Sequence, residues 1–136
     1  MLSIQKILWM NNMNKEIKLR YHTIGDGHPT YIIAEMSANH NQDYKQAINI
    51  IKEMKYAGAD CVKIQTYTPD TMTINCDNEY FQISAGTWKG ENLYNLYNKA
   101  YTPWEWQIGL KKEAEKVGLD FLRSEEHTSE LQSPNT

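Results

Sequence analysis

The sequence is poor in several features that would assign it at once to a structural class. Its 136 residues contain two cysteines, Cys61 and Cys76, which fit the reducing cytosol better than a disulfide-stabilised secreted domain. No apolar run approaches the length needed to cross a bilayer. The net charge of −3 lacks the basic excess by which proteins hold nucleic acids or membrane surfaces. With 40% hydrophobic residues, the chain is predicted to be globular and soluble.

Two kinds of ligand site lack their usual signatures. Gly25 and Gly27 stand close together, but no third glycine follows and Pro29 leads into an apolar run, so the dinucleotide-binding pattern is weak. The four histidines share no short-range spacing of the kind that zinc sites show. We therefore expect neither a nucleotide-binding loop nor metal ligands in this chain. The histidines are His22, His28, His40 and His127.

Most of the information lies in two short segments, Ile32–Asn41 (IIAEMSANHN) and Gly58–Thr66 (GADCVKIQT). Each is an apolar run that ends in side chains able to do chemistry, and one amphipathic segment lies between them. This order predicts a strand, a helix and a second, parallel strand. Glu35, Lys63 and Gln65 then lie where parallel α/β folds place their active sites. Because charged side chains are rare in buried strands, the pattern favours a functional explanation.

The period-two alternation of strands predicts which of these side chains share a face. Glu35 falls on one face of the first strand, and Lys63 and Gln65 fall together on one face of the second. We expect all three to face the inside of a sheet or barrel. An inward-facing ammonium needs an anionic partner, which is either Glu35 in a plain ion pair or a bound phosphate or carboxylate. The opposite faces, expected to meet the covering helices, carry Ile32, Ala34, Val62 and Ile64.

Two helices are predicted from their caps and apolar stripes. Asp43 is the expected N-cap of the first, with Gln46 completing a capping box, and Gly58 ends it. Thr102 is the expected cap of the second, and Pro103 occupies its first turn. Their buried stripes are Tyr44, Ala47, Ile48, Ile51 and Met54 in the first helix, and Trp106, Leu110, Ala114 and Val117 in the second.

Two further segments complete the organisation. Ile17–Thr30 predicts two short strands around the tight turn Gly25–Gly27. The stretch after Thr66 shows no strand periodicity, and Leu93–Tyr97 predicts a short helix within it. A long loop after a strand of an α/β fold usually serves function, so Tyr67 at its start is a candidate sugar contact.

The motifs Ala34–Asn41 (AEMSANHN) and Ala57–Tyr67 (AGADCVKIQTY) resemble the sialic acid synthase superfamily. Three further stretches are similar to its pseudaminic acid branch: Gly27–Asn41, Gly86–Tyr97 (GTWKGENLYNLY) and Tyr101–Trp106 (YTPWEW). The neuraminate branch carries a glycine-containing E-I-G-x-N-H where this chain has EMSANH. The resemblance covers residues 15–122.

The resemblance implies an α/β fold, the N-terminal part of a (β/α)8 TIM barrel preceded by a short β-hairpin. The barrel would be incomplete, because a closed one needs about 250 residues. The implied parent enzyme is a carbon–carbon bond-forming transferase. It condenses phosphoenolpyruvate with 2,4-diacetamido-2,4,6-trideoxy-L-altrose to give pseudaminic acid and phosphate. The resemblance also implies a divalent ion, Mn2+ or Mg2+, whose ligands lie on later strands. The parent would be a cytoplasmic homodimer that binds neither nucleic acid nor membrane, and this chain alone would be inactive.

Positions in the family motifs imply roles for individual residues. Glu35 would be the catalytic carboxylate, taking a proton from the attacking water, and bound phosphoenolpyruvate would raise its pKa by like-charge repulsion. Lys63 would hold the phosphate or carboxylate of phosphoenolpyruvate. The other implied substrate-binding residues are Gln65, Asn39, His40 and Tyr67.

The domain organisation follows from where the resemblance runs. Residues 1–14 are expected to be an upstream extension, read before a true start at Met13. Residues 15–122 would be the truncated N-terminal synthase domain. From Arg123 to Ser133 the sequence (RSEEHTSELQS) matches, codon by codon, the translation of a widely used sequencing-library adapter. We therefore predict that residues 123–136 are a non-native tail. The alternative is a real disordered polar tail.

Two other functions stay open at this point. One is another branch of the superfamily, making N-acetylneuraminic or legionaminic acid, against which Ser37 and Ala38 count. The other, from a different class, is a non-catalytic carbohydrate-binding fragment. The presence of both Glu35 and Lys63 counts against it.

Overall fold

The computed structural model describes residues 15–125, which form a small β-hairpin followed by a three-stranded parallel sheet with its helices. The predicted upstream extension at residues 1–14 lies outside the described residues, as do residues 126–136 with His127. The elements, in chain order, are β1 (Glu16–Lys18), β2 (Thr23–Gly25), β3 (Ile33–Glu35), α1 (Tyr44–Tyr56), β4 (Cys61–Thr66), α2 (Pro69–Met72), α3 (Leu93–Ala100), α4 (Gln107–Lys116) and β5 (Asp120–Glu125), with 3-10 turns at Glu79–Phe81 and Trp104–Trp106.

The parallel sheet has the strand order β3-β4-β5, so that each new strand pairs with the one before it along the chain. Glu35 lies opposite Lys63, and Gln65 lies opposite Ser124. This strand–helix–strand order is the arrangement expected for the beginning of a (β/α)8 barrel. Within residues 15–125 the sheet is open. Strand β5 continues past Leu122 to Glu125, into the segment that we predict to be non-native.

The core forms where α1 and α4 cover one face of this sheet. Asp43 caps α1 as predicted, since its side chain accepts hydrogen bonds from the backbone N–H groups of Lys45 and Gln46. The predicted capping box is wrong, because the Asp43 N–H donates to the His40 carbonyl at 2.8 Å, and the Gln46 amide donates to the Asn39 carbonyl at 2.9 Å. Both predicted apolar stripes lie against the core. Its buried members are Met36, Ala47, Ile51, Ala59, Val62, Ile64, Leu110, Ala114 and Leu119.

The start of the second helix differs from the prediction. A 3-10 turn, Trp104–Trp106, precedes α4, and neither element receives a side-chain cap. The hydroxyl of Thr102 is buried and pairs with His40 instead of capping the helix. Because the Thr102 hydroxyl bonds His40, it does not cap the N-terminus of the helix.

The hairpin also differs from the prediction. Strands β1 and β2 are joined through the turn Leu19–His22, whose ends are linked by a backbone hydrogen bond of 2.8 Å. The Gly25–Gly27 turn is real, but it follows β2 and leads towards β3. Gly25 is required by space, because a Cβ there would lie 2.3 Å from the carbonyl oxygen of Lys15. Gly25 is therefore present because two backbone segments come close together, and not because it forms the loop of the hairpin.

The position of Ile32 differs from the prediction. Ile32 was expected to meet the covering helices but is 48% exposed. It precedes β3, and its backbone N–H donates to the Asp60 carboxylate instead.

The short helix predicted around Leu93–Tyr97 is confirmed as α3. Within residues 15–125, no helix has the length and apolar character that crossing a bilayer requires.

Candidate active site

Three polar side chains from two neighbouring strands meet on the open face of the sheet, at its carboxyl end. The Lys63 ammonium lies 3.1 Å from one carboxylate oxygen of Glu35. The Gln65 side-chain amide donates to the other oxygen at 2.8 Å. Glu35 therefore has both oxygens engaged, one by a cation and one by a neutral donor. The shared face predicted from the alternation of the two strands agrees with this geometry.

The register of the sheet explains why these side chains converge. Val62 and Ile64 are fully buried beneath the helices, which turns Lys63 and Gln65 to the opposite face. In residues 15–125, where the sheet is open, the Lys63 and Glu35 side chains are 35% and 37% exposed, so a ligand can reach both. An ion pair this open adds little to stability, because solvent screens it. The arrangement is therefore poorly explained by stability alone.

These contacts set the protonation state of Glu35. The hydrogen bond from Lys63 lowers the pKa of its carboxyl, and the hydrogen bond from Gln65 lowers it further. Glu35 is thus held as a carboxylate in the ligand-free protein. The rise in pKa that we expect with a bound anion has to come from that anion.

The loop that follows Glu35 carries Asn39 and His40. Asn39 is exposed, and its amide donates to the Met36 carbonyl at 3.0 Å. His40 is completely buried, and its Nε2 lies 3.0 Å from the Thr102 hydroxyl. Burial lowers the pKa of His40. Of these two predicted substrate contacts, the structure exposes Asn39 and packs His40 into the interior.

Tyr67 is placed at the start of the long stretch after β4. Its ring is buried and meets Tyr97 of α3 edge to face, with centroids 5.7 Å apart. Its backbone carbonyl accepts a hydrogen bond from the Trp104 indole at 3.4 Å. The structure thus brings Glu35, Lys63 and Gln65 together and places Tyr67 in a packing layer beside them.

The divalent ion implied by the resemblance finds no fitting site in the described part of the chain. Among residues 15–125, no group of three histidine, cysteine, aspartate or glutamate side chains is arranged to hold a metal ion. We therefore assign no step of the chemistry to a metal held by these residues.

A second polar cluster, which the sequence did not lead us to expect, occupies the amino end of the same face. His22, in the hairpin turn, lies 3.1 Å from Asp60 through Nε2 and 2.9 Å from Asp120 through Nδ1. Tyr31 donates its hydroxyl to the same oxygen of Asp120 at 2.9 Å. The only sequence signal was the repeated aspartate near the start of β4 and β5. No spacing rule connects either aspartate to a histidine in a distant turn.

The sequence of this chain is similar to those of several known proteins. The pseudaminic acid synthase of Campylobacter jejuni is 48% identical over 89 residues, which cover 65% of this chain and 26% of that protein. The pseudaminic acid synthase of Helicobacter pylori is 48% identical over 96 residues, 71% of this chain and 28% of that protein. The chain thus spans little more than a quarter of the length of these relatives.

Among solved structures, the N-acetylneuraminic acid (sialic acid) synthetase of Leptospira borgpetersenii, in complex with citrate, superposes with a TM-score of 0.62. It is 27% identical, and the match covers 79% of this chain and 33% of that one. The likeness confirms the predicted fold class, the N-terminal part of a TIM barrel. The NeuB family model matches residues 50–133. This chain belongs to the NeuB family, within the sialic acid synthase superfamily.

Proposed function

We propose that this chain is the N-terminal segment of an enzyme that makes pseudaminic acid. The enzyme condenses phosphoenolpyruvate with 2,4-diacetamido-2,4,6-trideoxy-L-altrose and releases phosphate. The observation that carries the proposal is the Glu35–Lys63–Gln65 cluster, accessible at the carboxyl end of parallel strands. The 48% identity to two pseudaminic acid synthases, over 89 and 96 residues, supports this branch.

Lys63 supplies the positive charge that phosphoenolpyruvate needs. In the ligand-free protein its ammonium is satisfied by Glu35, and both side chains are about one-third exposed. An incoming phosphate or carboxylate competes for that ammonium through charge-assisted hydrogen bonds. Binding therefore partly withdraws Lys63 from Glu35.

This competition prepares Glu35 for proton transfer. The Lys63 hydrogen bond is the largest cause of the lowered pKa of Glu35. When a bound anion shares that ammonium and adds negative charge nearby, the carboxylate becomes more basic. Substrate binding thus converts a carboxylate held by its neighbours into a base that accepts a proton from water.

The reaction balances as follows. Carbon 3 of phosphoenolpyruvate forms a bond to the aldehyde carbon of the open-chain sugar as the aldehyde C=O π bond breaks, which leaves an alkoxide on the sugar and an electron-poor carbon 2. Water adds at carbon 2 and gives one proton to Glu35, which passes it to the alkoxide to form a hydroxyl. The bond between carbon 2 and the phosphate oxygen then breaks, and the new hydroxyl on carbon 2 gives its proton to the leaving phosphate, which leaves a ketone and inorganic phosphate.

The other predicted site residues receive supporting roles in this proposal. Gln65 orients Glu35 by donating to one of its oxygens and keeps its own carbonyl free for an amide N–H of the sugar. Asn39, exposed in the loop after β3, is a second sugar contact. Tyr67 shapes the mouth of the site through its buried ring. A cytoplasmic location, a homodimer and a divalent ion held elsewhere remain proposals that rest on the resemblance.

The test uses the full-length enzyme, meaning this segment in its uninterrupted reading frame. Phosphoenolpyruvate labelled with 18O in its bridging oxygen is incubated with the diacetamido sugar, with N-acetylmannosamine, or without sugar. We expect phosphate release only with the diacetamido sugar and label recovered in the phosphate, because the C–O bond breaks. Release with N-acetylmannosamine alone would assign the neuraminate branch. Sugar binding without release would favour the non-catalytic alternative. The 136-residue chain should release no phosphate above buffer.

A further inference from the structure

The loop between β3 and α1 has a conformation that its own residues do not favour. Ser37, Asn41 and Gln42 all adopt positive φ, at 49°, 48° and 54°. Residues other than glycine occupy this left-handed region at a cost in free energy, least for asparagine. This loop, residues 36–43, has three such positions, so it needs contacts from outside itself to keep its conformation.

His40 provides the first of these contacts, and its tautomer is fixed by its partners. Its Nδ1 accepts the backbone N–H of Gln42 at 2.9 Å. Since a backbone N–H only donates, Nδ1 is unprotonated and the ring hydrogen is on Nε2. Nε2 then donates to the Thr102 hydroxyl oxygen at 3.0 Å. The ring is completely buried and meets Trp106 edge to face, with centroids 5.6 Å apart.

Gln42 provides the second contact, to the same part of the chain. Its side-chain amide donates to the carbonyls of Asn98 at 3.1 Å and Tyr101 at 3.4 Å. Both carbonyls lie at the end of α3, just before Thr102. The loop that follows Glu35 is thus fastened to the point where the long excursion after β4 returns to the barrel core.

We infer that Thr102 is a positioning residue for the sugar site, acting through His40 on the loop that presents Asn39. The inference rests on the proposed function. Thr102 is 1% exposed and bonds the fully buried ring of His40, so its effect on the exposed Asn39 is indirect. Its hydroxyl is the acceptor that keeps the buried His40 N–H satisfied. Without it, the loop loses the contact that offsets its positive φ angles, and Asn39 moves.

The inference predicts different effects on the use of the two substrates. Lys63 sits on β4, whose register is fixed by pairing with strands on both sides. Asn39 sits on the loop that Thr102 fastens. Removing the hydroxyl should therefore impair sugar use and leave phosphoenolpyruvate binding nearly unchanged. A change that merely destabilised the protein would not divide its effect between substrates in this way.

The experiment compares Thr102→Val, Thr102→Ser and Thr66→Val in the full-length enzyme. Thr66 is a matched control, a buried threonine whose hydroxyl accepts a side-chain hydrogen bond from Gln107 at 3.3 Å, away from the loop. We expect Thr102→Val to lower kcat/KM for the sugar about 10- to 100-fold, the range that a misplaced group produces. The KM for phosphoenolpyruvate should stay close to that of the unaltered enzyme. Thr102→Ser should restore sugar use, and Thr66→Val should leave it unchanged.

A second readout does not depend on turnover. In protein labelled with 15N-histidine, His40 should give the resonances of a neutral ring protonated at Nε2 alone, and Thr102→Val should replace them with tautomer-averaged ones. Normal sugar kinetics in Thr102→Val, or an equal loss in Thr66→Val, would overturn the positioning role while the proposed function stands. An unaltered full-length enzyme without sugar-dependent phosphate release would overturn both.

Discussion

The open face of the sheet carries a polar cluster at each of its two ends, and the two clusters are built differently. At the amino end, His22 bridges Asp60 and Asp120, and the three side chains are 25%, 26% and 11% exposed. At the carboxyl end, Glu35 and Lys63 pair across adjacent strands with about one-third of each side chain exposed. The first cluster links the hairpin to the starts of β4 and β5, whereas the second is more exposed and lies where parallel α/β folds bind their ligands.

The comparison shows that a perturbed pKa does not by itself locate the chemistry. Burial and the hydrogen bond to Asp120 raise the pKa of Tyr31 far above its ordinary value. Yet Tyr31 lies at the amino end of the sheet, which is not where parallel α/β folds place their active sites. Glu35, at the carboxyl end, has a pKa that its neighbours lower. Position and access to a ligand therefore decide between the two clusters.

The largest effect should come from Glu35→Gln in the full-length enzyme. The amide keeps the shape of the side chain but cannot accept the proton from water. We expect kcat to fall by about 10²- to 10⁴-fold with substrate affinities nearly intact, the range of a lost general base. Steady-state kinetics and thermal melting on the same preparation measure this. A variant that melts early but keeps its rate would end the catalytic assignment.

The pH profile sharpens the same comparison. Because its neighbours lower the pKa of Glu35 below 4.5, the acidic limb of kcat/KM should lie below that value. The acidic limb of kcat should lie at higher pH, since the bound anion shares Lys63. Both limbs should be absent in Glu35→Gln. Coincident limbs would contradict the proposed competition for Lys63.

Lys63→Ala should have the next largest effect. Losing one charge-assisted contact should weaken phosphoenolpyruvate binding by about 2–3 kcal/mol and sugar binding by much less. Lys55→Ala is the matched control, because Lys55 bonds a backbone carbonyl, that of Gly118, on the outside of the fold. Isothermal titration with each substrate separates the outcomes. Unchanged affinity with only a lower Tm would leave a plain ion pair as the role of Lys63.

At the amino end, His22→Ala should affect stability and leave the chemistry alone. The change leaves two partly buried carboxylates without their shared donor, at a cost of about 1–3 kcal/mol. We expect a lower midpoint in urea unfolding of the full-length enzyme and an unchanged kcat. A variant with normal stability and reduced kcat would remove the distinction between the two clusters.

The smallest effect concerns Tyr31. A raised pKa in the folded state means that the native protein holds this proton more tightly than the unfolded chain does. The contribution of Tyr31 is therefore fully present below its ordinary value of 10.0 and declines as pH rises above it. Tyr31→Phe should lessen the alkaline loss of stability, measured as Tm between pH 9 and about 11. An identical alkaline decline in both proteins would show that the hydroxyl does not contribute.

The sequence predicted the features that neighbouring residues determine, such as strand faces and helix starts. Strand alternation placed Glu35, Lys63 and Gln65 on one face, and the N-cap signal of Asp43 located the start of α1. The contacts that the sequence could not predict join distant residues. Thr102 has the signature of a helix cap, and only the packed structure brings it to His40. Likewise, the glycine at position 25 reports a close approach to Lys15, which a turn rule cannot distinguish from a hairpin loop.

The hydrogen bond between His40 and Thr102 also has a consequence in time. The two residues are separated by 62 positions in the sequence. At synthesis rates of about 5–20 residues per second, His40 is made several seconds before its partner. During that interval β3 and α1 exist without the group that holds the loop between them. The loop therefore reaches its final form only after the chain has grown past α3.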